Sequence, residues 1–155
     1  MKDKVLTLRQ ISVCYCQTKL TSSHSQNFSI IRQHWKAFNT LLKINKVKFG
    51  VNWEKYAITK KYNDQYYYQC AFPSETHIKQ FEFTIIPAGN YIKFDHEGPM
   101  STIRKTINEI YNNTIPNSRI EIDRNRSLIH FERYDSKFNW NRQDSIVELY
   151  VPITN

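Results

Sequence analysis

The carboxylate with the most chemical promise is Glu148, inside Ile146-Val-Glu-Leu-Tyr-Val-Pro152. In an extended strand Ile146, Glu148 and Tyr150 point one way, and Val147, Leu149 and Val151 the other. Both faces carry apolar residues, so the acid sits either in a covered pocket or at a solvent-facing edge. Burial raises a carboxyl pKa unless a cation or donor compensates. A pocket acid among aromatic rings suits an amphipathic cation, or serves as a general base. Tyr67 and Gln69 share the matching face of an earlier strand, within Tyr66-Tyr-Tyr-Gln-Cys70. Tyr111 and Trp35 lie on apolar helix faces, where ligand contact competes with ordinary core packing. Ile146, Glu148, Tyr150, Tyr67, Gln69, Tyr111 and Trp35 make up the candidate ligand-binding set, with Glu148 the catalytic candidate if the chain is an enzyme.

Other chemistries find little support. His24, His34, His96 and His130 show no HExxH-like spacing. Cys14, Cys16 and Cys70 are an odd number and read as structural thiols. Neither metal nor cofactor is expected. No Gly-x-Ser-x-Gly, P-loop or Rossmann pattern occurs, and no Ser/His/Asp set stands out.

The elements that must position these residues repeat once. Val5–Tyr15 reads as a first strand. Phe28, Ile31, Trp35, Phe38 and Leu42, spaced by 3, 4, 3 and 4, mark one face of an amphipathic helix. Trp53–Lys60 and Tyr66–Phe72 read as strands around an Asn63-Asp64 turn. In the second half, Phe81–Ile86 and Tyr91–Asp95 are strand-like. Gly98-Pro99 opens a helix with Ile103, Ile107, Ile110 and Tyr111 on its apolar face. Arg119–Asp123 and Leu128–Tyr134 are expected to pair as a hairpin. A polar loop with an exposed-looking Trp140 follows, then the last strand, Ser145–Val151. The last strand of each half ends in proline, Pro73 and Pro152, which aligns Gln69 with Glu148. The reading is a single α+β domain over 1–155, with pseudo-repeats of about 1–75 and 80–155. A duplicated β-α-β-β unit implies a curved antiparallel sheet with two helices and a central ligand cleft.

Composition bounds the rest. The chain has 155 residues and a formal charge of +8, with 13 Lys/Arg against 4 Asp/Glu in residues 1–80 and 9 against 10 thereafter. The basic half fits either an acidic partner or a solvated face. No DNA-binding motif is evident, so direct DNA binding is not expected. No apolar run approaches the ~20 residues of a membrane span, and no leader is read at the N-terminus. A cytoplasmic location and a monomer or weak dimer are expected.

Ile85-Ile-Pro-Ala-Gly-Asn-Tyr-Ile-Lys-Phe-Asp-His-Glu-Gly-Pro99 resembles the signature of the GyrI-like, or bacterial effector-binding, domain. Ile115-Pro-Asn-Ser118, Phe131-Glu-Arg-Tyr134 and Val147-Glu-Leu-Tyr-Val-Pro-Ile153 agree with later segments of that family in order and spacing. The resemblance implies two β-α-β-β repeats around a ligand cleft, with Glu148 in it as counter-charge to cationic or polar ligands. Gln69 stands where many members carry a second acid. Many relatives are fused to DNA-binding domains and sense drugs; this chain resembles the stand-alone members. For it the resemblance implies a bacterial small-molecule sensor or sequestering protein, tied to transcription regulation, multidrug recognition or stress response. The alternatives are a hydrolase of cyclopropane-containing alkylators and a gyrase-interacting inhibitor. The implied partners are an amphipathic cation, and DNA gyrase or a separate DNA-binding regulator. The haem-associated SOUL proteins share the fold.

Overall fold

A computed structural model describes residues 3–154. Its eight strands are β1 (Asp3–Leu8), β2 (Ile11–Lys19), β3 (Lys55–Tyr62), β4 (Gln65–Pro73), β5 (Glu82–Ile86), β6 (Gly89–Glu97), β7 (Leu128–Tyr134) and β8 (Ile146–Pro152). Helix α1 (His24–Ile44) follows β2 and α2 (Ile103–Glu109) follows β6. The strands form one antiparallel sheet in the order β1-β6-β8-β7-β3-β4-β2-β5. Exchanging the halves, β1 with β5 through β4 with β8, turns this order into its own reverse. The expected duplication is therefore built into the sheet.

Local chemistry explains the element boundaries. The Ser23 hydroxyl accepts from the Gln26 N–H and caps the start of α1. At its other end Lys46 adopts a left-handed φ of 56°. There Val47 N–H bonds Leu42 O at 2.9 Å and Lys46 N–H bonds Lys43 O at 3.1 Å, the paired arrangement that closes many helices. Asn63 and Asp64 both have positive φ, 49° and 64°, the two-residue turn whose twist matches a hairpin. The second helical stretch begins with a 3-10 turn, Met100–Thr102, and ends in a π turn, Ile110–Thr114.

Two expectations change. Val5–Tyr15 is two strands, interrupted at Arg9-Gln10, because β1 pairs with β6 while β2 pairs with β4 and β5 at the opposite end of the sheet. Arg119–Asp123 is not a hairpin partner of β7. It meets the end of β8 instead, through an Ile122–Ile153 bridge and the Asp123 N–H to Pro152 O bond at 3.0 Å.

The sheet has two different faces. One is covered by helices. Trp35, Phe38 and Leu42 of α1 pack there on Cys14, Ala57, Tyr68, Cys70, Phe72, Tyr134 and Val147, and Ile110 packs on Ile92, Phe94, Leu149 and Val151. Full burial of a ring such as Phe38 contributes about 1.5–3 kcal/mol. The other face closes on its own aromatics, Tyr56, Tyr91, Phe131 and Tyr150, with Val13, Ile58 and Ile86. No helix among the described residues is long and apolar enough to cross a membrane.

Candidate functional site

The sheet register locates the symmetry axis. Gln69 and Glu148 occupy equivalent places on β4 and β8, and their partners on the preceding strands are Ile58 and Arg133. One residue earlier stand Ala57 and Glu132, which face each other across the β3–β7 ladder. The pseudo-two-fold axis thus passes between a small residue and an acid, in the middle of the sheet.

Glu132 lies on the helix-covered face, because His130, Glu132 and Tyr134 alternate with Phe131 of the opposite core. It is 5% exposed. Its Oε1 accepts a 2.8 Å hydrogen bond from the Tyr134 hydroxyl. Nearby the Trp35 indole N–H donates to the Tyr68 hydroxyl at 2.9 Å, and both rings are buried. Among the described residues no cation lies within ion-pair distance of Glu132. Burial therefore pushes its carboxyl up to about 7, with the Tyr134 bond pulling weakly the other way. Two residues back, the His130 ring shares a 2.9 Å hydrogen bond with the Tyr111 hydroxyl, presented by the π turn. Burial, with Arg104 adding to it, lowers His130 to about 4, so the ring is neutral.

Beside Tyr134 a cavity of about 100 Å³ opens between α1, the start of β3 and the β7–β8 loop. All three tryptophans of the chain line it, Trp35, Trp53 and Trp140, together with Tyr134, Phe138, Asn39 and Lys55. The rings interlock edge to face: Trp35–Tyr134 at 5.3 Å and Tyr134–Phe138 at 4.8 Å. Trp53 also lines a neighbouring open groove of about 370 Å³, with Phe49 and Phe72. The Lys55 ammonium sits 5.1 Å from the Phe49 ring centre and 5.6 Å from that of Trp53, and donates to Asn39 Oδ1 at 3.0 Å. The buried acid is joined to this aromatic cavity through Tyr134, which lines it and donates to Glu132.

A family model for integron-associated effector-binding proteins matches residues 4–153. The chain belongs to this Cass2 family. The GyrI-like, effector-binding resemblance read from the sequence agrees with that membership. Solved structures share the fold. SAV2435, solved bound to tetraphenylphosphonium, superposes with a TM-score of 0.78 at 12% identity, over 100% of this chain and 95% of that one. The EcmrR C-terminal domain gives 0.66 at 14% identity, over 99% and 98%. An integron cassette protein from the mobile metagenome of Vibrio cholerae gives 0.65 at 16%, over 98% and 95%. Among curated proteins none matches in sequence. Effector binding is therefore the class of function to which the Cass2 chain belongs.

In this Cass2 chain the residues singled out from the sequence divide between the two faces. Glu148 points away from the helices. Its carboxylate accepts from Lys93 at 3.1 Å, Arg133 at 3.2 Å and the Tyr150 hydroxyl at 3.0 Å. Burial opposes its charge, yet the Lys93 and Tyr150 bonds and the two cations hold it below the usual carboxylate range. Arg133 also pairs with Glu54, and with Asp135 at 2.8 Å. Tyr150 stacks flat on Phe131 at 4.7 Å. Ile146 is half-buried at the start of the same strand. Gln69 is buried and donates to Gln17 Oε1 at 2.9 Å, and Tyr67 lies 5.9 Å from Tyr62. Trp35 and Tyr111 belong to the other face, Trp35 in the cavity wall and Tyr111 on His130. The structure thus does not bring all seven together.

Sequence reasoning passed over Glu132, Trp53, Lys55 and Phe138 as site residues. Trp140, read as exposed, is half-buried beside Phe28 and Phe138. The overlooked signal was the alternation His130-x-Glu132-x-Tyr134, three polar-tipped residues on one side of a central strand. Among the described residues no three metal-ligating side chains gather.

Proposed function

We propose that this chain captures amphipathic monocations, for sensing or sequestration. Their aromatic or apolar substituents fill the tryptophan-lined cavity, and Glu132 supplies the counter-charge. One observation carries the reading: a buried carboxyl without a cationic partner among the described residues, hydrogen-bonded by Tyr134, itself a wall of the cavity that every tryptophan in the chain lines. Isolated buried charge is costly, so a ligand cation that ionises Glu132 makes good a missing interaction. The fold-level likeness to a protein solved with tetraphenylphosphonium supports the same ligand class. A cavity of about 100 Å³ is smaller than the roughly 300–1,000 Å³ of common ligand pockets. Binding therefore requires Trp53 to move and join the cavity to the neighbouring groove. In this reading Trp35 is a wall of the site and Tyr111 fixes the neutral His130. Glu148, Tyr150, Ile146, Gln69 and Tyr67 organise the opposite face.

Titration calorimetry with tetraphenylphosphonium tests this. Glu132→Gln is expected to weaken binding at least tenfold, about 1.4 kcal/mol, while Glu148→Gln changes it less than about threefold. Equal losses in both variants, or no binding to the unaltered chain, would reject the assignment.

The position of the Glu132 pKa near neutrality supports a second reading, general acid/base hydrolysis of a strained electrophile such as a cyclopropane-containing alkylator. Mass spectrometry after incubation separates the two: a hydrolysed product that Glu132→Gln fails to form favours the enzyme, and unchanged compound throughout favours capture.

A further inference from the structure

The aromatic box already holds a cation of the chain's own. The Lys55 ammonium lies over Phe49 and Trp53, at 5.1 and 5.6 Å, and is tied to Asn39 at 3.0 Å. Asn39 and Trp53 are walls of the cavity, and Phe49 and Trp53 are walls of the adjoining groove. Lys55 therefore stands at the partition that a bulky ligand must cross. Its register partner on β7 is Tyr134, the residue that hydrogen-bonds Glu132. Yet the ammonium makes no ion pair with Glu132. It occupies the rings and leaves the acid unneutralised.

We propose that Lys55 is a tethered competitor of the ligand: its ammonium occupies the π faces an incoming monocation needs, and must swing out to solvent for that cation to bind. Lys55 thereby sets the strength of cation binding and the preference for charged over neutral ligands. Two physical effects act together. A cation over an aromatic face gains energy that the ligand must match after displacing it. Two like charges in one small, partly desolvated cavity also repel. Burial pulls the Lys55 pKa below its ordinary value, as expected for an ammonium with no counter-ion among the described residues. Its flexible four-carbon stem allows the displacement.

The inference rests on the capture reading, and the test separates the two. Lys55→Met keeps the stem and removes the charge; Lys55→Gln also keeps a donor for Asn39. Each variant is checked for an unchanged thermal transition, then titrated with tetraphenylphosphonium and with neutral triphenylphosphine oxide. Both variants are expected to bind the cation roughly tenfold more tightly, and the neutral probe within twofold of the unaltered chain. Cation binding only in the variants also supports the inference and rejects capture by the native chain. If the unaltered chain binds the cation and neither variant gains, Lys55 is no competitor. Equal tightening for both probes would mean that removing the ammonium merely enlarges the cavity. If no chain binds either probe, the pocket reading falls and this inference falls with it.

Discussion

Glu132 and Glu148 sit on adjacent strands, one ladder step apart, and live in opposite electrostatic worlds. Arg133 pairs with Glu148 and Glu132 pairs with Leu149 in the β7–β8 register, so the pleat sends the two carboxyls to different faces. On the helix-free face Glu148 meets Lys93, Arg133 and Tyr150, and its pKa falls. On the helix-covered face Glu132 has, among the described residues, only a phenol as donor at hydrogen-bonding distance, and its pKa rises to about 7. The first acid is part of a neutralised network that fastens β3, β6, β7 and β8. The second is a buried acid with no cation at ion-pair distance among the described residues. Two glutamates of one hairpin thus divide between a paired network and, in the proposed reading, a ligand site.

The widest expected separation is in the pH dependence of stability. In the unfolded chain Glu132 titrates near 4.5, and in the folded chain near 7. Below pH 4.5 both forms hold the proton. As pH rises from 4.5 to 7 the unfolded chain loses it first, so stability falls, by about 3 kcal/mol once both are ionised. His130 has the opposite sense: lowered from 6.5 to about 4, it withdraws stability as pH falls through that window. The two slopes oppose each other between pH 4.5 and 6.5. Urea melts of Glu132→Gln are expected to match the parent at pH 4 and exceed it by about 3 kcal/mol at pH 8. Equal stability at pH 8 would erase the distinction between the acids.

Arg133→Met should break the other side. It leaves Glu54, Asp135 and Glu148 short of a shared cation. A loss of about 2 kcal/mol is expected, below the figure for fully buried pairs because the group is partly exposed. Tetraphenylphosphonium affinity should change less than threefold. A large affinity loss at unchanged stability would tie the network to the ligand after all.

The smallest effect belongs to Tyr134→Phe, which removes the hydroxyl from Glu132. It should cost about 1 kcal/mol and move the Glu132 titration upward, seen as a shift in the pH at which urea stability levels off. An unmoved titration would mean that Tyr134 does not tune the acid.

Much of this was legible in the sequence, and the gaps have physical causes. The α1 face was readable because Phe28 to Leu42 keep helical spacing over four turns. The duplication was readable because proline must end a paired strand, which aligned Pro73 with Pro152. Those prolines also gave the Gln69–Glu148 equivalence, from which Glu132 on the axis could have been derived had the β3–β7 pairing been known. That pairing joins residues about 75 apart, and no local pattern encodes it. Local pattern also cannot tell which face of a doubly covered strand receives the helices, so Glu148 drew attention ahead of Glu132. Trp53, Lys55 and Trp140 lie at strand ends and in loops, where periodicity is silent. The break at Arg9-Gln10 was hidden because β1 and β2 are both strand-like and differ only in their distant partners.

The lead strand of each half completes the ladder of the other: β1 lies on β6, and β5 on β2. The repeats clasp each other like two hands, so neither can let go without stripping the margin of its twin. Losing either grip strips a strand from both halves, so the sheet is expected to melt as one cooperative unit.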